Sequence, residues 1–137
     1  MEDRILALSN YRIDKAKEDL ESSKALFTIN KYAQSINRSY YSMFHSTRAL
    51  LAFDKFDSKK HSGIIAYFNQ NYIKTDKIEY KYFESLREAE RIRNKSDYND
   101  FYIATKDQAE SQLKNAEEFI NKIKDYIKNT FIIFLES

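Results

Sequence analysis

The chain has 137 residues, of which 32% are charged and 42% hydrophobic, with a formal net charge of +2 and no cysteine. This length and balance indicate one globular domain, residues 1–137, large enough to bury a core. The lack of cysteine excludes disulfides, thiolate metal sites and a cysteine nucleophile. The small net charge permits nucleic-acid binding without indicating it, because a strongly basic surface normally leaves a larger surplus.

Neither end of the sequence resembles a targeting or membrane segment. The start, MEDRILALSN, lacks the basic residues and apolar run of a signal peptide. The apolar run FIIFL, residues 131–135, has five residues, whereas a membrane-spanning helix needs about 20. We therefore predict a cytoplasmic protein without a membrane segment.

The single glycine and the absence of proline favour long helices joined by short polar turns. Apolar residues recur every three or four positions between Ile13 and Phe27, which predicts a first amphipathic helix. The second predicted helix lies within residues 32–53 and carries only two fully charged side chains, Arg38 and Arg48. A helix with so little charge is surrounded on most sides. We predict that it is the central helix, covered by the bundle and by a second subunit.

Three further helices are predicted after the central one. Ser58 is expected to cap a short helix that includes Phe68 and Tyr72, and Thr75 or Asp76 to cap the next. The apolar stripe of that next helix is predicted at Ile78, Tyr82, Leu86 and Ala89. The final helix is expected to begin near Asp100. Its stripe comprises Ala109, Leu113, Ala116, Ile120, Ile123 and Ile127. Together these patterns predict an all-α fold, an antiparallel up-and-down four-helix bundle with one additional short helix.

Polar residues line one face of the central helix. Asn37, Tyr41, His45 and Arg48 follow one another at spacings of four, four and three residues, and Arg38 borders them. Buried polar groups left unpaired cost about 1–3 kcal/mol each, so this face requires partners. It is interpreted either as a buried hydrogen-bond network or dimer seam, or as the lining of a ligand site.

Arg93 continues the predicted apolar stripe of its helix by one step. An arginine at the end of a buried face either pairs with a carboxylate or binds an anion. Asp97, four residues further on, is the carboxylate that it would pair with. Both interpretations stay open, whereas Arg87 and Arg91 are predicted to form surface pairs with nearby glutamates.

No cofactor or metal site is predicted. The two histidines, His45 and His61, lie on different predicted helices and lack the spacing of paired metal ligands. The only glycine, Gly63, excludes a glycine-rich phosphate loop.

Three segments together resemble the HEPN superfamily (higher eukaryotes and prokaryotes nucleotide-binding), in its small single-domain prokaryotic branch. They are KALFTINKYAQSINRSYYSMFHSTRALL, KKHSGIIAYFNQNYI and REAERIRNKSDYND, and the resemblance covers roughly residues 10 to 125. It implies a four-helix bundle that forms a homodimer with a polar cleft along the dimer seam. Many members are ribonuclease toxins of toxin–antitoxin or defence modules, encoded beside a minimal nucleotidyltransferase antitoxin.

The resemblance also implies a catalytic motif, an arginine followed after four to six residues by a histidine. Arg93 matches the arginine, but Tyr98, Asn99 and Asp100 occupy the positions where the histidine would stand. The arginine would stabilise phosphorane charge and the histidine would move a proton, so its absence argues against metal-independent RNA cleavage. We accordingly expect RNA or nucleotide binding more than cutting.

The site expected on this basis has three groups of residues. Arg93, Asp97 and His45 are the candidate catalytic residues, with His45 able to replace the missing histidine only if the fold brings it to Arg93. Asn37, Arg38, Tyr41 and Tyr98 are the candidate ligand-binding residues. Tyr98 and Tyr102 are candidates for nucleotidylation, a modification that silences some toxins of the superfamily. The alternative function is a non-enzymatic helical module that binds a nucleotidyltransferase or another protein.

Overall fold

The computed structural model describes residues 2–132, which form five α-helices and no strand. The helices are α1 (Glu2–Thr28), α2 (Tyr32–Leu51), α3 (His61–Phe68), α4 (Tyr80–Tyr98) and α5 (Lys106–Ile127). A 3-10 turn (Ala52–Asp54) follows α2, and π-helical segments (Asn69–Ile73 and Lys128–Ile132) extend α3 and α5. The predicted all-α bundle is confirmed, with four long helices and the short α3.

Helix α2 is the centre of the bundle and packs against α1, α3, α4 and α5. Twelve of its 20 residues are buried, among them Tyr40, Met43 and Leu50. The prediction of a central helix is therefore confirmed. The other helices of the same chain explain its lack of charge, and its cover by a second subunit stays a prediction.

A row of serines joins α1 to α2, and we call Ser23, Ser35 and Ser39 the serine seam. The Ser23 hydroxyl lies 3.0 Å from that of Ser35 and 2.7 Å from that of Ser39. Ser35 in turn donates to the Ser23 carbonyl at 2.9 Å. All three residues are fully buried. Small side chains allow the two helices to approach closely, and their hydroxyls are satisfied by one another.

The predicted caps of α3 and α4 were wrong. Lys60 is the N-cap of α3, and Ser58 instead accepts a hydrogen bond from the Lys60 backbone N–H at 3.2 Å. Glu79 is the N-cap of α4. Thr75 and Asp76 lie in the preceding turn, where Asp76 adopts a left-handed φ of 59°. Aspartate tolerates this conformation better than most residues, which suits it to a turn as well as to a cap.

Helix α5 begins at Lys106, not near Asp100 as predicted. Thr105 and Gln108 form a capping box, in which each side chain bonds the other residue's backbone N–H. This pair satisfies two free N–H groups at the helix start and fixes the start there. Residues 99–105 consequently form a connecting loop between α4 and α5.

The buried face of α4 is rotated slightly from its predicted position. It consists of Phe83, Leu86, Ala89 and Ile92, whereas Tyr82 is only half-buried. The next buried position is therefore Ile92, and Arg93 lies at the margin of the face with its side chain 16% exposed. This margin position places the guanidinium between the core and solvent.

The chain end packs back on the bundle as far as it is described. Phe131 stacks on Phe53 with ring centroids 4.4 Å apart. The rest of the FIIFL run, residues 133–135, lies outside the described residues. None of the helices within residues 2–132 is long and apolar enough to cross a membrane.

Candidate functional site

A polar cluster joins α2 to α4, and it contains five of the residues predicted from sequence. We call it the α2–α4 cluster: Asn37, Arg38 and Tyr41 on α2, with Arg93 and Asp97 on α4. Residues four apart lie one above the other on a helix, so Asn37 and Tyr41 face Asp97 and Arg93 across the helix pair. The structure thus brings these five side chains together.

Arg93 contacts both a carboxylate and aromatic rings. Its Nε atom lies 2.9 Å from Oδ2 of Asp97, and its Nη2 donates to the Tyr41 hydroxyl at 3.2 Å. The guanidinium also lies 5.3 Å and 5.6 Å from the ring centres of Tyr41 and Tyr40. However, the buried Nε–H has no aligned acceptor among residues 2–132. The predicted pairing with Asp97 is therefore confirmed as an ion pair, in which the Nε–H lies close to the carboxylate but is poorly aligned with it.

The remaining cluster residues form a chain of hydrogen bonds that ends on α1. Asn37 donates to Asp97 at 3.1 Å, and its side-chain carbonyl accepts two bonds from Arg38, at 3.1 Å and 2.7 Å. Arg38 then donates to Asp19 at 2.9 Å. Burial raises the pKa of Asp19, and the positive charge of Arg38 opposes that shift. The two arginines of the cluster are thus held at fixed positions by two carboxylates and one amide.

An open pocket of about 470 Å³ lies beside the cluster. Asn37, Arg38, Ser96 and Asp97 line part of its wall. The Ser96 hydroxyl is buried and has no hydrogen-bond partner among the described residues. The polar face of α2 is consequently reachable from solvent at this end and is not sealed in the core.

His45 does not join Arg93, although sequence analysis considered it as the replacement histidine. Its Nε2 lies 3.9 Å from Oδ2 of Asp19, and its ring packs against Tyr41, whose ring also contacts Arg93. Burial, reinforced by the charges of Lys15, Arg48 and Arg38, lowers the pKa of His45 to about 4. His45 is therefore neutral near pH 7, and its buried Nδ1 has no partner among residues 2–132.

His61 is the histidine that sequence analysis did not assign to the site. It is the first residue of α3, its Nδ1 lies 2.8 Å from the Tyr40 hydroxyl, and its ring stacks on Phe44 at 4.1 Å. Burial, and then the charge of Arg93, lower the pKa of His61. The KHSG segment marks its position in the sequence, but no local spacing reveals a contact made between helices.

The two tyrosines proposed for modification have different environments. Tyr98 is 75% exposed, with its ring centre 5.9 Å from the Arg93 guanidinium. The Tyr102 hydroxyl instead donates to Gln108 at 2.6 Å, within the capping box of α5. Of the two, Tyr98 has the hydroxyl-bearing ring that is open to solvent.

Large apolar side chains are exposed at the end of α4 and in the loop that follows it. Phe101 is 94% exposed and Ile103 is 81% exposed, in addition to Tyr98. We call these three residues the loop surface. Exposed large apolar side chains mark sites of interaction when they form one contiguous patch.

Comparison with known proteins identifies the family. The chain matches the family model of the HEPN domain over residues 9–126. It is 36% identical over 115 residues to putative toxin MJ0142 of Methanocaldococcus jannaschii, covering 84% of this chain and 78% of that protein. It is also 34% identical over 116 residues to putative toxin MJ0605 of the same organism, covering 85% and 86%. A UPF0332 protein of Archaeoglobus fulgidus is 32% identical over 116 residues, covering 85% and 92%.

The chain therefore belongs to the HEPN domain family, as its resemblance predicted. The family match includes all of α2 and α4, and hence every residue of the α2–α4 cluster.

Proposed function

We propose that this chain is a toxin-type HEPN module that binds RNA or a nucleotide through phosphate groups at the α2–α4 cluster. The observation that carries the proposal is Arg93, a largely buried arginine held by Asp97 and Tyr41 in a cluster of which Asn37, Arg38 and Asp97 line an open pocket. Guanidinium groups held in place are well suited to bind phosphate oxygens. The names of the two Methanocaldococcus relatives support the toxin part of the proposal.

The cluster supplies cations and hydrogen-bond donors, and its carboxylate, Asp97, is already held by Arg93 and Asn37. Among the described residues, His45 contacts Asp19 and the Tyr41 ring and makes no contact with Arg93. General-base catalysis requires an acceptor within hydrogen-bond reach of the attacking hydroxyl. We accordingly propose binding without efficient cleavage, in keeping with the histidine that is missing from the motif after Arg93.

Binding is tested by fluorescence anisotropy with a labelled single-stranded RNA of mixed sequence. The wild type should bind, and Arg93→Gln should weaken binding about tenfold or more, because a charge-assisted contact contributes about 1.5–3 kcal/mol. Arg91→Gln is the matched control, since Arg91 lies two residues away and pairs with Glu88 on the surface. Equal affinity of the two variants would overturn the proposed role of Arg93.

Expression in a bacterial host tests the toxin part of the proposal. Induction of the wild type should slow growth while total RNA stays intact, and Arg93→Gln should relieve the growth defect. Arg91→Gln should slow growth as the wild type does. Harmless expression of all three proteins would contradict a toxin function, and degraded RNA would contradict binding without cleavage.

A second candidate function is favoured by the loop surface. Tyr98, Phe101 and Ile103 present apolar area that a partner protein, such as a nucleotidyltransferase antitoxin, would cover. Phe101→Ser should abolish co-purification with such a partner, whereas Tyr80→Ser, at an exposed tyrosine on the first turn of α4, should not. If the partner still co-purifies with both variants, docking at this loop is contradicted.

We also propose that the chain forms a homodimer, which the family resemblance implies. The test is sedimentation of the wild type at micromolar concentration. A mass of about twice the 16.4 kDa of one chain is expected, and a monomer would contradict the proposal.

A further inference from the structure

His61 and Arg93 lie on different helices but contact the same two tyrosine rings. The Arg93 guanidinium is 5.6 Å from the ring centre of Tyr40 and 5.3 Å from that of Tyr41. The centre of the His61 imidazole is 5.8 Å from each of the same two rings. Tyr40 and Tyr41 of α2 therefore form one small aromatic platform, which His61 borders from α3 and Arg93 from α4.

The protonated nitrogen of His61 follows from its contact with Tyr40. The Tyr40 hydroxyl is buried, and burial raises the pKa of Tyr40, so this hydroxyl keeps its proton. His61 Nδ1 is its only hydrogen-bond partner among residues 2–132. A buried hydroxyl with one partner has its proton bonded only if it donates, so we assign Tyr40 as the donor to Nδ1 and place the ring proton of neutral His61 on Nε2.

The Nε2–H group of His61 is free to bind a ligand. His61 is half-buried, and its ring is hydrogen-bonded within residues 2–132 through Nδ1. No residue of the described chain accepts its proton. Stacking on Phe44 and the bond from Tyr40 fix the ring, so the donor is held in one direction.

We propose that His61 and Arg93 together form a two-donor subsite for a phosphate oxyanion, with His61 donating from Nε2. This inference rests on the proposed function and names a second side chain that holds the same ligand. His61 acts here as a binding residue and transfers no proton. With Nδ1 occupied by Tyr40, the ring offers a donor and no base, which agrees with binding in the absence of cleavage.

Two substitutions of His61 separate its two nitrogens. His61→Asn keeps an acceptor near the position of Nδ1, so the Tyr40 bond is retained while the Nε2 donor is lost. His61→Gln places an amide donor near the position of Nε2. In the anisotropy assay with single-stranded RNA, His61→Asn should weaken binding about three- to tenfold, the effect of one hydrogen bond, and His61→Gln should restore part of it. Lys60→Gln is the control for charge at a neighbouring exposed position.

A measurement on the wild type keeps the test independent of folding. Imidazole ¹⁵N NMR reports each ring separately, because the chain has only two histidines. Addition of the same RNA should shift the Nε2 signal of His61 and leave the His45 signals in place. Inorganic pyrophosphate in a second titration shows whether phosphate alone suffices: a shift of the same His61 signal supports the subsite, and no shift with either ligand overturns it.

The outcomes distinguish this inference from the proposed function. If RNA binds the wild type and Arg93→Gln is weakened, while His61→Asn binds normally and the His61 signal stays fixed, the subsite is overturned and the proposed function stands. If the wild type binds no RNA, both are overturned. If His61→Asn and Lys60→Gln weaken RNA binding equally, this also counts against a specific donor at His61.

Discussion

The serine seam and the α2–α4 cluster are both polar contacts of the same central helix, yet they differ in how completely their groups are paired. In the serine seam every hydroxyl is fully buried and bonded. Around the cluster the side chains are long and partly exposed. Of the four buried side-chain polar atoms without a hydrogen-bond partner in residues 2–132, three belong to α2 or α4 near the cluster: His45 Nδ1, Arg93 Nε and Ser96 Oγ.

This difference separates polar groups that hold the fold from polar groups available to a ligand. Buried groups that are satisfied by the protein stabilise one packing arrangement, and a ligand gains nothing from them. Groups left unsatisfied beside an open pocket retain donors and charge for a ligand. Substitutions in the serine seam should therefore affect stability, and substitutions in the cluster should affect binding.

The largest expected effect is on the serine seam. Ser23→Leu inserts a branched side chain into a fully buried contact between α1 and α2 and removes the partner of Ser35 and Ser39. We expect the free energy of unfolding to fall by about 3 kcal/mol, measured by chemical denaturation. Ser22→Leu, the same change at the adjacent exposed position, should be nearly neutral. Similar losses for both variants would contradict the assignment of the seam as a structural contact.

The next effect is a loss of about 2–3 kcal/mol of unfolding free energy on acidification, and it comes from the protonation of His45. Its pKa of about 4 in the folded protein lies below the usual 6.5, so the unfolded chain binds the proton more tightly. This contribution is fully present above about pH 6.5 and is lost as the pH falls towards 4. Asp19, whose pKa is raised by burial, changes stability in the opposite direction and offsets part of the loss.

The measurement is the free energy of unfolding of wild type and His45→Gln between pH 7 and pH 4. The wild type should lose more stability over this range than the variant does. Parallel curves would contradict a neutral buried histidine beside the cluster.

The smallest expected effect on stability is that of Arg93→Gln. The ion pair with Asp97 is partly open to solvent, since the side chains of Arg93 and Asp97 are 16% and 30% exposed. Such pairs contribute about 0–1 kcal/mol, so denaturation should shift by no more than that while RNA affinity falls by about tenfold. A loss of several kcal/mol in unfolding free energy would instead identify Arg93 as a structural residue. The α2–α4 cluster would then hold the fold, as the serine seam does.

The sequence predicted most of the fold because helical periodicity is strong in a chain with one glycine and no proline. The position of α2 followed from its lack of charge, and Arg93 was distinguished from Arg91 by helical phase alone. The starts of α3, α4 and α5 were wrong because serine, threonine and aspartate favour turns as well as caps. The Thr105–Gln108 capping box was readable in the sequence and would have corrected the start of α5.

The site was only partly predictable, for a different reason. Spacing within one helix identified Asn37, Tyr41, Arg93 and Asp97, because residues four apart share a face. His61 reaches the same aromatic platform from α3, and no pattern within a helix reports which rings meet across helices. His45 was proposed from its place on the α2 face, but among the described residues it contacts Asp19 and the Tyr41 ring and makes no contact with Arg93.

The most direct test of the central claim is a ¹H–¹⁵N NMR titration of the wild-type protein with single-stranded RNA. Binding at the α2–α4 cluster predicts shifts concentrated at residues 37–41 and 93–98, with the amides of Ser23 and Ser35 in the serine seam unchanged. Shifts confined to other surfaces, or no shifts at RNA concentrations that saturate the anisotropy signal, would contradict the cluster as the RNA-binding site.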